Sequence, residues 1–242
     1  MTHTQTAFPI SIVIPCRNEE ESILPVLKEI QQTLNSAKIV HEIIVVNNNS
    51  TDNTTQEAKK AGANVRVIDC EIQGYGASIL KGIQKSKYQL ICMLDGDGSY
   101  HPKDIPILLK RYITHHKPYG YEPICLGNRF ASKKTKNIKF LHRVFGVPML
   151  NFVTNTLYSA PESFDSHCGL RLFRKDIVKV LDLKHTDFSF ANEMICKALK
   201  QKVALVQIPI VLRKDLRVRT SSKIKTIQDG FYALKTIISL RF

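Results

Sequence analysis

Four short apolar runs, Ile10–Ile14, Ile43–Val46, Val65–Ile68 and Leu90–Leu94, set the strongest limit on what this chain can fold into. Runs of four or five apolar residues closed by turn formers fit buried strands. Helical patterns lie between them. Ile23, Val26, Leu27, Ile30 and Leu34 form one apolar stripe, Thr54 to Ala61 reads as a helix, and Gly74-Tyr75-Gly76 opens another that runs through Ile83. Asn18 followed by Glu19, Glu20 and Glu21 predicts the start of the first helix, with Asn18 as its cap. Strands that are largely apolar and alternate with helices predict a parallel sheet covered on both faces. Ligands bind such sheets beyond the carboxyl ends of the strands. The first, second and fourth strand ends carry Pro15-Cys16-Arg17-Asn18-Glu19, the turn Asn47–Asp52, and Asp95-Gly96-Asp97. The sequence thus predicts one polar site along one sheet edge.

Asp95-Gly96-Asp97-Gly98 asks for more than a turn. Two carboxylates one residue apart on a bent backbone can aim at one point, as a hard cation requires. The second half of the chain is organised differently. Ile124–Leu126 leads into Gly127-Asn128-Arg129-Phe130; Phe190–Lys200 reads as a helix, Val203–Ile208 as a strand ended by Pro209, and Ile224, Ile227, Phe231, Leu234, Ile237 and Ile238 keep helical spacing.

Charge enters here. The chain has 35 Lys and Arg against 21 Asp and Glu, a formal charge of +14. Two segments, Arg129–Arg143 and Arg213–Lys225, hold +11 of it. Patches of this kind suit phosphate, nucleic acid or anionic lipid. Nucleic acid is the weakest of the three, because the chain has no Trp and its aromatics do not interleave with the basic runs as a stacking platform would. Six cysteines without a CxxC pair predict free thiols and a reducing compartment. No secretory leader pattern and no continuous apolar run of spanning length is expected. Lys133–Tyr158 and the helix from Ile224 pair apolar residues with lysines, which predicts peripheral attachment to an anionic membrane surface.

The stretches VIPCRNEEESI, VVNNNSTDNT, GYGASILKGI, MLDGDGSYHP, LGNRF, DSHCGLRLFRKD and FSFANEMICKAL, in that order, resemble the family 2 inverting glycosyltransferases. The polyprenyl- and dolichyl-phosphate sugar transferase branch is the nearest in pattern, and the likeness runs from about Ser11 to the C-terminal helix. The resemblance implies an α/β GT-A fold: a Rossmann-like, mostly parallel sheet flanked by helices, with a C-terminal acceptor-side extension. It also implies a single domain over 1–242, with a nucleotide-sugar half at 1–128 and an acceptor half at 129–242. It implies a nucleotide-sugar donor, GDP-mannose or a UDP-hexose, with Mg2+ or Mn2+. Donor-binding positions would be Pro15, Arg17, Glu19, Asn48, Asp52, Gly76, Asp95 and Asp97. Asp95, Asp97 and Ser99 would face the metal, with Asp97 the direct ligand, and Arg129 would join Asp95 and Asp97 in catalysis. Relatives usually open the second loop with Asp-Asp, whereas this chain has Asn47-Asn48.

The acceptor decides what the basic segments are for. A hydroxyl acceptor needs a general base, whereas a phosphate is already largely ionised at neutral pH, with a second pKa near ~6. Arg143, Asp165, Arg171, Glu193, Arg213, Arg219 and Lys223 are the acceptor-side candidates. Glu193 reads either as a base or as a helix residue paired with a nearby arginine, and Asp187 as a base or a loop cap. The leading expectation is metal-dependent, inverting hexosyl transfer to polyprenyl phosphate at the cytosolic membrane face. Transfer to a sugar hydroxyl in polysaccharide assembly, and a non-catalytic nucleotide- or nucleic-acid-binding module, are the alternatives. The loop Arg213–Lys225 is expected to order when donor and acceptor phosphates supply counter-charge.

Overall fold

The computed structural model describes residues 8–116, 122–131, 146–160, 162, 164–218 and 226–242. Arg143, Arg219 and Lys223 lie outside the described residues, as does most of the first basic segment.

The expected strands form as β1 (Ile10–Cys16), β2 (His41–Asn47), β3 (Val65–Asp69), β4 (Leu90–Met93) and β7 (Leu205–Pro209), and two further strands, β5 (Ile124–Asn128) and β6 (Arg171–Arg174), join them. They make one sheet in the order β3-β2-β1-β4-β6-β5-β7. β1 runs parallel to β2 and β4, β2 to β3, and β5 to β7, while β6 is antiparallel to both β4 and β5. That single reversal has a positional consequence. The carboxyl ends of β1, β2, β4, β5 and β7 and the amino end of β6 all open on the same edge.

The helices are α1 (Ile23–Ser36), α2 (Thr54–Lys59), α3 (Tyr75–Lys85), α4 (Asp104–His115), α5 (Val147–Tyr158), α6 (Ile177–Val180), α7 (Phe190–Lys200) and α8 (Thr226–Ser239). The sheet is covered on both faces because side chains alternate along each strand. Ile10, Ile12 and Ile14 of β1 pack with Ile23, Leu27 and Ile30 of α1 and with Leu108 and Leu109 of α4. Val13, Ile44 and Met93 point the other way, to Ile79 and Ile83 of α3 and to Phe190 and Met194 of α7. Each fully buried aliphatic side chain of α1 contributes about 2 kcal/mol, so its stripe anchors the helix without help from a cap. Such help is absent: Ser22 occupies the N-cap position and makes no side-chain capping bond. Asn18 is therefore not the cap predicted from sequence. Its backbone is left-handed (φ 57°), and its side chain reaches the second loop instead. A third, smaller cluster joins Leu150 and Tyr158 of α5, Cys196 of α7, and Ala233 and Ile237 of α8. The Tyr158 hydroxyl donates to the carbonyl of Ile237 at 2.8 Å, tying α5 to α8. All six cysteines are buried and free.

Candidate active site

The loops after β1 and β2 interlock. The Asn18 side chain accepts from Thr51 N at 2.8 Å, and the N–H groups of Glu19 and Glu20 donate to Thr54 Oγ1 and Asp52 Oδ2. Asp52 also accepts from Thr54 N and Thr54 Oγ1, so both of its oxygens brace this junction. Asn48 is buried. Its Nδ2 donates to the carbonyls of Cys70 (3.1 Å) and Ile72 (2.8 Å), and its Oδ1 accepts from Gly74 N at 2.8 Å. A carboxylate has no donor for those two carbonyls. The departure Asn47-Asn48 is thus matched by the loop it supports. Asn47, at the end of β2, donates to the Asp69 carboxylate on β3 at 2.8 Å and accepts from Ser50 N. Pro15 is buried in β1, opposite Val46, and Arg17 is exposed beside the Gln73 carboxamide. Gly76 lies in the first turn of α3, where its N–H donates to the carbonyl of Asp187.

β4 delivers Asp95 and Asp97 to the centre of the edge. The Asp95 carboxylate lies against Gly169, where an added Cβ would come within 2.8 Å of it. Its Oδ1 is buried with no partner. Burial, and next the charge of Asp97, push Asp95 up to about 7. Glu19 follows the same logic: it is buried, its Oε2 has no partner, and burial with the neighbouring Asp97 raises it well above the usual carboxylate range. Asp97 Oδ1 accepts from Ser99 N at 2.9 Å, while Oδ2 faces Arg217 Nη2 at 3.4 Å. Buried carboxylate oxygens without donors, close to one another, fit a cation. Among the described residues no group of three His, Cys, Asp or Glu side chains is set to hold a metal. A divalent ion here would need oxygens from outside the chain, the usual condition for Mg2+ held by one or two carboxylates and substrate phosphates.

On the other side, Arg129 forks onto Asp165, with Nε to Oδ2 and Nη2 to Oδ1 both at 2.7 Å. Burial alone would raise Asp165, but the Arg129 guanidinium outweighs it and holds the carboxyl below its usual value. Arg171 is fully buried and donates to the carbonyls of Cys168, Ala191 and Ser166. It fastens the loop before β6 to α7. Glu193 is also buried: it accepts from the N–H groups of Lys184 and His185 and pairs with Lys197 at 2.8 Å, a lysine where sequence favoured an arginine. Asp187 caps Ser189 N at 2.8 Å. Arg213 pairs with Glu29 at 2.8 Å and donates to the carbonyls of Gly98 and Tyr100.

The structure thus brings Glu19, Asp95, Asp97 and Ser99 together and sets Arg129 with Asp165 beside them. Arg171, Glu193 and Arg213 have internal partners nearby. Arg217 is the site residue that the sequence does not single out. The composition of its segment shows the charge, but not which of the basic residues from Arg213 to Lys225 reaches the carboxylates.

The sequence pattern of Glycosyl transferase family 2 matches residues 11–182. The chain is 30% identical over 202 residues to the low-salt glycan biosynthesis hexosyltransferase Agl6 of Haloferax volcanii, a match covering 83% of this chain and 47% of Agl6. The chain therefore spans about half the length of that relative. It is 25% identical over 218 residues to the dolichyl-phosphate beta-glucosyltransferase ALG5D of Trichomonas vaginalis, covering 83% of this chain and 64% of that protein. Among solved structures, glucosyl-3-phosphoglycerate synthase from Mycobacterium tuberculosis superposes with a TM-score of 0.73 at 17% identity, covering 99% of this chain and 84% of that one. The seven-stranded, mostly parallel sheet flanked by helices is the GT-A architecture expected from sequence.

Proposed function

Since the chain belongs to glycosyl transferase family 2, we propose that it transfers a hexose from a nucleotide-sugar to a polyprenyl phosphate at the cytosolic face of a membrane, inverting the anomeric carbon. The observation that carries the acceptor choice is the state of the acidic side chains on the acceptor side. Asp165 is forked by Arg129, Glu193 is surrounded by its own donors, and Asp187 caps a turn. A hydroxyl acceptor would need one of them as a base, and of the three Asp187, 64% exposed and bonded through Oδ1 alone, is the one open to that role. A phosphate acceptor brings its own charge and needs none. The name of ALG5D, a transferase to dolichyl phosphate, supports the same acceptor class.

The donor, GDP-mannose or a UDP-hexose, would lie across the edge, with its base toward Arg17 and its diphosphate at Asp95-Gly96-Asp97. Asn48 and Asp52 would shape the base pocket through the backbone they hold. Asp97 and Asp95 would hold Mg2+ or Mn2+, with Ser99 fixing Asp97 through its N–H. The ion, when bound, lowers the cost of charge on the departing diphosphate. Arg129, oriented by Asp165, would turn its remaining N–H groups to phosphate oxygens. The close approach of Gly169 would keep Asp95 in place as charge builds beside it. Membrane contact would come from α5 and α8, which pack together while leaving Phe152 70% and Phe231 67% exposed. No described helix is long and apolar enough to cross a membrane.

The test is an incubation of the protein with Mn2+, labelled GDP-mannose or UDP-glucose, and either a polyprenyl phosphate or a soluble oligosaccharide. Label should pass into organic solvent with the lipid acceptor. Label appearing only on the oligosaccharide would overturn the lipid-phosphate reading.

A further inference from the structure

The segment after β7 turns back over the carboxylate site. Arg213 N donates to the carbonyl of Ser99 at 2.8 Å, and Leu216 N to the carbonyl of Asp97 at 2.9 Å. The Arg213–Glu29 pair pins one end of this arm, and Val218 N, donating to Glu21 Oε2, pins the other. Gly98, at φ +77°, leaves room for Leu216: a Cβ there would meet Leu216 Cδ1 at 2.5 Å. The arm thus follows the backbone of Asp97–Tyr100.

Its tip carries a cation into the site. Arg217 Nη2 lies 3.4 Å from Asp97 Oδ2, and Nη1 lies 3.5 Å from Glu19 Oε1. Asp215, two residues back on the same arm, accepts from Nε and from Nη2, the latter at 2.5 Å. The Arg217 side chain is only 10% exposed. The guanidinium is therefore held among three carboxylates, one from its own arm and two from the strand ends. One of those two, Glu19, keeps a buried oxygen that Arg217 does not satisfy.

We infer that Arg217, aimed by Asp215, is a built-in counter-cation: it occupies the approach to Asp97 and Glu19, so a divalent ion arriving without nucleotide must displace it. This rests on the reading of Asp97 as a cation ligand. One positive charge at 3.4 Å or more from the catalytic carboxylate is a weak partner. It neutralises the site well enough for folding but yields to a doubly charged ion that brings diphosphate oxygens with it. A site built this way discriminates against bare metal. The ion's affinity is reduced by the fraction of molecules in which the arm is closed, and release of the arm is coupled to arrival of the ion.

The experiment is calorimetric titration of the full chain with Mn2+ alone, with no nucleotide. Arg217→Gln should bind Mn2+ about tenfold more tightly than wild type, the scale set by losing two partly shielded ionic contacts. Arg217→Lys, which retains the charge, should stay within about threefold of wild type on the same scale. Lys214→Gln removes the same charge from an exposed position on the same arm and should leave the affinity within about twofold, which separates contact from net charge. Arg217→Gln binding no more tightly than Arg217→Lys, or no more tightly than Lys214→Gln, would overturn the inference. Asp97→Asn placed on Arg217→Gln should abolish the binding. Unchanged Mn2+ affinity in that double variant would instead refute the role of Asp97, a failure distinct from that of the arm.

Discussion

Replacing Asn48 by aspartate gives the residue that the family resemblance leads one to expect there, and the structure predicts that it harms this protein. The Asn48 amide donates two hydrogen bonds, to the carbonyls of Cys70 and Ile72, and accepts one from Gly74 N, with 5% of the residue exposed. In Asn48→Asp the accepted bond survives. Both donated bonds are lost, and a carboxylate oxygen faces two carbonyl oxygens. Two lost buried bonds at about 1 kcal/mol each, plus the cost of an acceptor left against acceptors, come to about 2–4 kcal/mol. For a chain of this size that lowers Tm by roughly 5–15 °C. The new carboxyl can recover one donor by staying protonated, so its folded pKa is raised. Stability linked to such a group is present at low pH and is lost as pH rises through the folded pKa. The deficit should therefore be smaller at pH 5 than at pH 8 when urea unfolding is followed at both. A variant within about 0.5 kcal/mol of wild type at pH 8 would refute the account of Asn48 as the brace of the loop before α3.

A second expectation concerns Asp95. With its folded pKa near 7 and an unfolded value that leaves it ionised throughout, the native state holds the extra proton, so Asp95's share of metal-free stability should fall by about 1.4 kcal/mol between pH 6 and pH 8. Asp95→Asn should remove that share and leave the part due to Glu19, which burial raises in the same way, and an unchanged pH slope in the variant would contradict the burial argument. The paired helices α5 and α8 should carry the chain to anionic liposomes in flotation, with attachment weakened by high salt. Equal flotation with neutral liposomes, or none with either, would count against a charged membrane-facing surface.

The first half of the chain was legible because local signals agree there. Apolar runs end at Pro15, Asn47 and Asp95, and helical stripes fill the gaps, so the site edge follows from chain order alone. The second half hides its structure in long-range pairings. Arg171 reads as a free cation, yet it belongs to a strand and satisfies three carbonyls that only the fold brings near. Asn18 has the chemistry of a cap, but Ser50 and Thr51, thirty residues on, compete for its polar groups and win. Helix α4 did leave a signal, with Ile105, Leu108, Leu109 and Tyr112 at helical spacing and all buried. Pro106 in its first turn is compatible with that helix rather than a break. Arg217 could not be distinguished from its basic neighbours by type or spacing, because its partner Asp97 lies 120 residues away in sequence.

The central claim is that the strand-end carboxylates make donor binding depend on a divalent ion. The direct measurement is calorimetric titration of the protein with GDP-mannose and with UDP-glucose, each with and without Mn2+, in wild type and in Asp97→Asn. Wild type should bind one of the two donors, and only with Mn2+. Asp97→Asn, with an unchanged thermal unfolding profile, should lose that Mn2+-dependent binding. Donor binding of equal strength in wild type and Asp97→Asn, or binding indifferent to Mn2+, would contradict the account.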